Sequence, residues 1–334
     1  MKRYLLLVLL SFFLQATAAQ ALDARKTGAE LTAAFYSQRT DSVWNSFDAQ
    51  MRGLFKSPQA LASFRDQVGA QLGAEQAVLE ESVSPEPVMT VYKRRVRFEK
   101  SPSVFVMNWT FASDGKVVGF SILPEQGRPK QAAPSQHLGY RTRTALQLPF
   151  DEEFMVFWGG RTLEQNYHAE YLHQRFAADL AVVRGNATHA GDGLRNEDYY
   201  CFGRPILAPA AGEVVEVVDG VADNVPGRLN ARDVTGNRVV IDHGNGEFSM
   251  LAHLRQGSLR VERGDRVAAG DHLGDCGNSG HSSQAHLHYQ LQDGPKFSDA
   301  AALPAQFNGY IADGAPVTRG EPAKGQRVRP SGRQ

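Results

Sequence analysis

"SSQAHLHYQ", residues 282–290, sets His286 and His288 on either side of one leucine. The spacing suits a strand, where side chains at i and i+2 leave the same face about 7 Å apart. On such a face one imidazole can hold a metal while the other reaches a water on that metal. Two histidines alone do not make a site, so their partners have to be sought along the chain. Of the ten histidines, only His137 precedes residue 141. Three stretches gather the chemistry: "QNYHAEYLHQRFAADLAV" (165–182), "MLAHL" (250–254) and "CGNSGHSSQAHLHYQL" (276–291).

The 334 residues leave room for two domains of about 150 residues each. Basic and acidic residues balance at 36 each, so no global charge points to a nucleic-acid partner. At the N-terminus Lys2 and Arg3 precede the apolar run "YLLLVLLSFFL", and Ala19-Gln20-Ala21 offers a cleavage site. This is the pattern of a signal peptide over residues 1–21. The run falls short of the ~20 apolar residues that span a bilayer, so no stable membrane anchor is expected after cleavage. The mature protein is expected in the periplasm or outside the cell. In an oxidising compartment Cys201 and Cys276 read as a disulfide, with two separately buried thiols as the alternative.

Residues 22–123 read as a small α+β domain. "ARKTGAELTAAFYSQ", "SVWNSFDAQMRGLF" and "PQALASFRDQVGAQL" repeat apolar residues at threes and fours, with Asp41 and Ser57 as candidate caps. "TVYKRRVRFEK" and "VFVMNWTFA" then alternate, and "SDGK" turns into "VVGFSIL". Phe35, Trp44, Phe64 and Trp109 are expected in its core. Residues 124–140 carry three prolines and read as a linker. Residues 141–312 read as mainly β, with short strands between Gly-rich turns. The Pro/Gly-rich basic stretch 313–334 is expected to be a flexible tail. His189, His243, His272 and His281 sit in turn-like segments and read as surface residues.

"GRPILAPAAGEVVEVV", "GNRVVIDHGNGEFSMLAHL" and "GDRVAAGDHLGDCGNSGHSSQAHLHYQL" together resemble the LytM/lysostaphin-type zinc metallopeptidases, peptidase family M23. The likeness runs from about Gly159 to Leu291 and rests on four ordered elements: A-P-x-x-G, D-H-G-x-G, A-H-L and G-N-S-G…H-L-H. The helix–sheet layout before it resembles the small cystatin- or NTF2-like domains that precede exported peptidases. The resemblance implies a compact β fold around a groove, one zinc ion per chain, and hydrolysis of the stem or bridge peptides that cross-link peptidoglycan. It assigns His288 and Asp179 as zinc ligands, and His286 and His253 as the catalytic histidines. Completed by a second histidine, such a set gives zinc three ligands and leaves a fourth position for water.

One element departs from the family pattern. The first ligand of H-x-x-x-D falls here on Arg175, whose guanidinium stays protonated and cannot bind zinc. His168 and His173 are the two substitutes. "GGRTLEQNYH" resembles a variant branch with an insertion before the aspartate, which points to His168. On a straight strand His173 would stand about 20 Å from Asp179. If the chain loops out between His168 and Asp179, His168 reaches the metal, His173 becomes a rim residue and Arg175 can meet substrate carboxylates. The missing motif also admits a second reading, a catalytically impaired protein that binds wall or activates a hydrolase. A third is a secreted protease acting on proteins.

Overall fold

The computed structural model describes residues 23–125 and 131–332; the expected signal peptide lies outside them. Among the described residues no helix is long and apolar enough to cross a membrane.

The first part is built from four helices and an antiparallel meander. The helices are α1 (Ala24–Tyr36), α2 (Thr40–Ser46), α3 (Ala49–Phe55) and α4 (Pro58–Leu72). The strands are β1 (Glu75–Pro85), β2 (Met89–Phe98), β3 (Val104–Ala112) and β4 (Val117–Pro124), paired in that order. Ser57 caps α4 as its sequence suggests, with Pro58 in the first turn. Asp41 does not cap: Arg39 holds that place, and Asp41 sits in the first turn of α2. The helical pattern of "SVWNSFDAQMRGLF" is split at Phe47, because Asp48 caps a new helix by accepting from the Met51 amide. Phe35 and Trp109 are buried, and Trp44 and Phe64 pack against the same cluster. Helix α1 lies so close to β2 that a Cβ at Gly28 would stand 2.2 Å from the Tyr92 ring.

The second part is a β-rich layer. Its strands are β5 (Phe154–Trp158), β6 (Ala178–Ala181), β7 (Pro205–Leu207), β8 (Gly212–Val218), β9 (Asn237–Asp242) and β10 (Phe248–Leu254). They continue as β11 (Arg266–Val267), β12 (His272–Asp275), β13 (Leu287–Gln292), β14 (Ala302–Leu303), β15 (Phe307–Ala312), β16 (Ala315–Gly320) and β17 (Arg327–Pro330). The large sheet runs β11-β8-β9-β10-β13-β6-β5-β17-β15-β16, with β14 on β13 and a separate β7–β12 pair. Strand β13 therefore lies in the middle. Leu287, Tyr289 and Leu291 face the main core from it, so His286, His288, Gln290 and Gln292 must face the other way. Cys201 and Cys276 are joined as a disulfide with Cα atoms 5.9 Å apart.

Two expectations need correction. The stretch 313–334 is no mobile tail through its described length. Strand β16 pairs with β15, and β17 runs between β15 and β5. Its basic and Pro/Gly character concealed an edge strand, β16, and an interior strand, β17, whose Val328 is fully buried. The segment read as a linker also packs, since the Ala133 amide donates to Ala169 at 2.7 Å. The chain is fastened further by Glu247. Its buried carboxylate accepts from the amides of Arg143 and Thr144 at 2.7 and 2.8 Å and from the Tyr140 hydroxyl at 2.8 Å.

The two parts touch through α3 and the β1–β2 turn. Gln50 donates to the Gly193 carbonyl at 2.7 Å, and Lys324 pairs with Glu86 at 2.5 Å. A mobile tail and a built-in strand respond differently to a buried charge. Val328→Asp is expected to cost roughly 2 kcal/mol or more, because the carboxylate would lose its water inside the sheet. Urea unfolding followed by fluorescence reads this; an unchanged midpoint would restore the mobile tail.

Candidate metal and catalytic site

Asp179 and His288 are direct cross-strand partners in the register of β6 and β13. Their side chains share the face opposite the core, and the His288 Nδ1 stands 3.0 Å from Asp179 Oδ1. Ala252 lies opposite His288 on the other side, in β10. Strand β10 slips register between Leu251 and Leu254, and His253 within that bulge has φ +62°. A left-handed backbone is costly for a histidine and is kept only where its surroundings enforce it. Here the bulge carries the imidazole toward β13, with ring centroids 4.8 Å from His286 and 5.7 Å from His288.

His168 arrives from the excursion between β5 and β6. The chain does loop out there, through 3₁₀ turns at Tyr167–Glu170 and Leu172–Gln174. The excursion is closed by Asn166, which donates to Ala177 at 2.8 Å and to Gly160 at 3.2 Å. His168 Nε2 lies 3.5 Å from Asp179 Oδ2. Among the described residues, His168, Asp179 and His288 form one group whose ligand atoms all lie within 4.8 Å of one another. His173 is not in it; half-buried, it packs its ring on Phe297 at 4.9 Å. Arg175 is not at a groove either. Its side chain turns inward and donates to the carbonyls of Ala133 and Arg161 at 2.9 and 2.8 Å, so it cannot meet a substrate carboxylate.

Hydrogen bonds decide which ring nitrogens remain open. The Asn166 amide nitrogen is committed to two carbonyls, so its oxygen faces His168 and accepts from Nδ1 at 2.8 Å. His253 Nδ1 donates to the Ser279 carbonyl at 2.8 Å, and His286 Nδ1 to the Gln284 carbonyl at 2.9 Å. A carbonyl can only accept, so in its neutral form each of these three rings has its lone pair on Nε2. The His286 Nε2 is 3.7 Å from Asp179 Oδ1. Lone pairs and a carboxylate thus converge on one point.

The donor chemistry fits zinc. Two imidazoles and one carboxylate are a usual three-ligand set, and bonds of about 2.1 Å in a tetrahedron put ligand atoms about 3.4 Å apart. The three ligand atoms all lie within 4.8 Å of one another, and the contacts of 3.5 Å from Asp179 Oδ2 to His168 and 3.0 Å from Oδ1 to His288 are of the size of that edge.

Burial alone would raise the Asp179 pKa; the positive charge that the His168, His286 and His288 rings carry when protonated opposes this and lowers it. Burial pushes His168 from 6.5 down to about 4, and pushes His253 well below 6.5 with help from His286 and His288. Burial also raises the Tyr167 hydroxyl, which sits 3.4 Å from Asp179 Oδ2.

The other histidines divide. His281 is exposed as expected, whereas His243 is half-buried, bonded to Ala211 O and Ser249 Oγ at 2.8 Å each. The sequence reading passed over Asn166, Ser282, Gln284, Gln290 and Gln292, which orient the rings. A visible signal for the last two was the polar/apolar alternation continuing past His288.

Residues 197–300 match the model of peptidase family M23. His253, His286 and His288 fall within the match; His168 and Asp179 lie before it. The peptidoglycan DD-endopeptidase ShyA of Vibrio cholerae is 41% identical over 56 residues, 17% of this chain and 13% of that protein. An uncharacterized metalloprotease of Buchnera aphidicola is 32% identical over 110 residues, 33% of this chain and 24% of that protein. The chain thus matches under a quarter of the length of either relative. The catalytic domain of lysostaphin from Staphylococcus simulans is 23% identical, covering 38% of this chain and 73% of that one, with TM-score 0.25.

The depressed histidines make a pH signature. Between about pH 4 and 6.5 the unfolded chain binds more protons than the fold does, so stability rises with pH across that window. Metal-free protein should keep its full stability above about pH 6.5 and lose it as pH falls toward 4. Denaturant unfolding at constant ionic strength measures this, and a flat profile across the window would contradict it.

Proposed function

We infer that a peptidase domain of family M23 makes this protein an exported zinc metalloendopeptidase cutting the stem or bridge peptides of peptidoglycan. The observation that carries the reading is the convergence of His168, Asp179 and His288, with His253 and His286 at its edge. In this reading the first three residues hold one zinc ion. When bound, the ion supplies a water acidified toward neutral pH and a Lewis acid for the scissile carbonyl. The Nδ1 bonds of His286 and His253 turn their Nε2 atoms toward the site. One takes the proton from the attacking water and returns it to the leaving amine. The other, donating a hydrogen bond when protonated, steadies charge developing on the carbonyl oxygen.

The impaired-site reading drew its support from Arg175 in the ligand position. That support weakens, because His168 stands beside Asp179 while Arg175 is engaged elsewhere. Peptidoglycan as substrate rests on the partial likeness to the Vibrio cholerae endopeptidase and on the leader-like N-terminus. In this reading the first domain, fastened by Gln50 and Lys324, positions the catalytic part or covers its groove.

Zinc content and turnover should separate the roles. His288→Ala and His168→Ala are expected to lose most bound zinc and all activity on purified peptidoglycan. His286→Ala and His253→Ala should retain zinc yet release no peptides, and His173→Ala should keep both properties. Metal analysis beside mass spectrometry of the digest reads the series. Equal zinc loss in every variant would reject these roles; zinc-loaded wild type that releases nothing from peptidoglycan but cleaves protein would favour the third reading.

A further inference from the structure

Strand β13 buries more polarity than a metal site of three ligands requires. Gln290 and Gln292 follow His286 and His288 at the same spacing, and both are 0% exposed. Buried amides persist where each donor and acceptor is answered. The answers here run in one direction. Gln292 Nε2 donates to the Gly294 carbonyl at 2.7 Å, which turns its oxygen toward Gln290. Gln290 Nε2 donates to that oxygen at 2.6 Å and to the His173 carbonyl at 3.1 Å. Its own oxygen is thereby left facing His288 Nε2, at 3.1 Å.

We propose that Gln290, aimed by Gln292, is a positioning residue that holds His288 with its proton on Nε2 and pins the excursion bearing His168. This rests on the zinc reading above. The Gln290 oxygen can only accept, so His288 must donate from Nε2 and turn Nδ1 toward Asp179. Nδ1 and the carboxylate then meet as two acceptors at 3.0 Å, a geometry that calls for a cation between them. The second bond acts on the other histidine. The His173 carbonyl belongs to the turn that follows His168, so one amide joins both metal-holding elements. Partners of this kind fix ring orientation and ligand basicity, and their loss typically weakens metal binding about 10–100-fold.

The test uses zinc competition with a chelator and ring-nitrogen NMR on the whole protein. Wild type should show a proton on His288 Nε2, with or without zinc. Gln290→Met keeps the volume but neither bond, and zinc should bind about 10–100-fold more weakly. Gln290→Glu keeps an acceptor for His288 and loses both donors, so it should bind zinc more tightly than the Met variant. Gln292→Met leaves Gln290 in place but free to turn, and should weaken zinc by a smaller factor. Thermal unfolding of each metal-free variant separates lost ligand orientation from a lost fold.

A bare Nε2 on wild-type His288 overturns the proposal without any variant. So does wild-type zinc affinity in folded Gln290→Met, or equal affinity in the Met and Glu variants. If wild type binds no zinc while His288 still carries its Nε2 proton, the zinc reading fails and the Gln290 bond stands.

Discussion

Asp179 is an ionised carboxylate set into the middle strands of a sheet, 6% exposed, and much of the surrounding architecture answers that burial. An unpaired charge so placed costs several kcal/mol even after the protein relaxes around it. The His168, His286 and His288 imidazoles stand within 3.7 Å of it with His253 beside them, yet three of the four rings donate from Nδ1 outward, to an asparagine oxygen and two carbonyls. Acceptors facing an acceptor are unfavourable until a cation joins them. The polar network is therefore organised for a charge that the protein side chains do not themselves provide.

Holding that arrangement requires unusual backbone and buried amides. His253 sits in a bulge at positive φ, where a regular strand would aim its ring elsewhere. His286 is oriented by Gln284, whose side chain is in turn held by Thr188 at 3.1 Å. Near the same end of the site the Cys201–Cys276 disulfide ties the chain before β7 to the segment that bridges His286. A bridge closing a loop of this length stabilises by about 2–4 kcal/mol, which offsets some of the strain.

The excursion from β5 to β6 solves a separate problem. A histidine eleven residues before Asp179 can return to it only if the intervening chain is folded back and fastened. Asn166 closes the excursion at its neck, Arg175 anchors it to Ala133 and Arg161, and Gln290 takes the His173 carbonyl. An arginine in the place of a ligand thus serves as a clamp. Its planar donors suit carbonyls as well as carboxylates.

The elements carrying the site were legible as motifs: H-x-H on a strand, A-H-L at the end of a hairpin, and an aspartate in an apolar run. Alternation and turn residues act over a few positions, so helices, meander and the mainly β second part could be read directly. The disulfide was the expected state of two cysteines behind a leader-like N-terminus, against the alternative of two buried thiols. Three matters were not local. Whether His168 or His173 meets Asp179 depends on how nineteen residues between β5 and β6 fold back, which hydrogen bonds to distant carbonyls settle. The fate of the basic C-terminal stretch depended on an open strand edge at β15 and β5, a partner its own composition does not reveal. The open nitrogen on each ring depended on carbonyls and amides that only folding brings within about 3 Å.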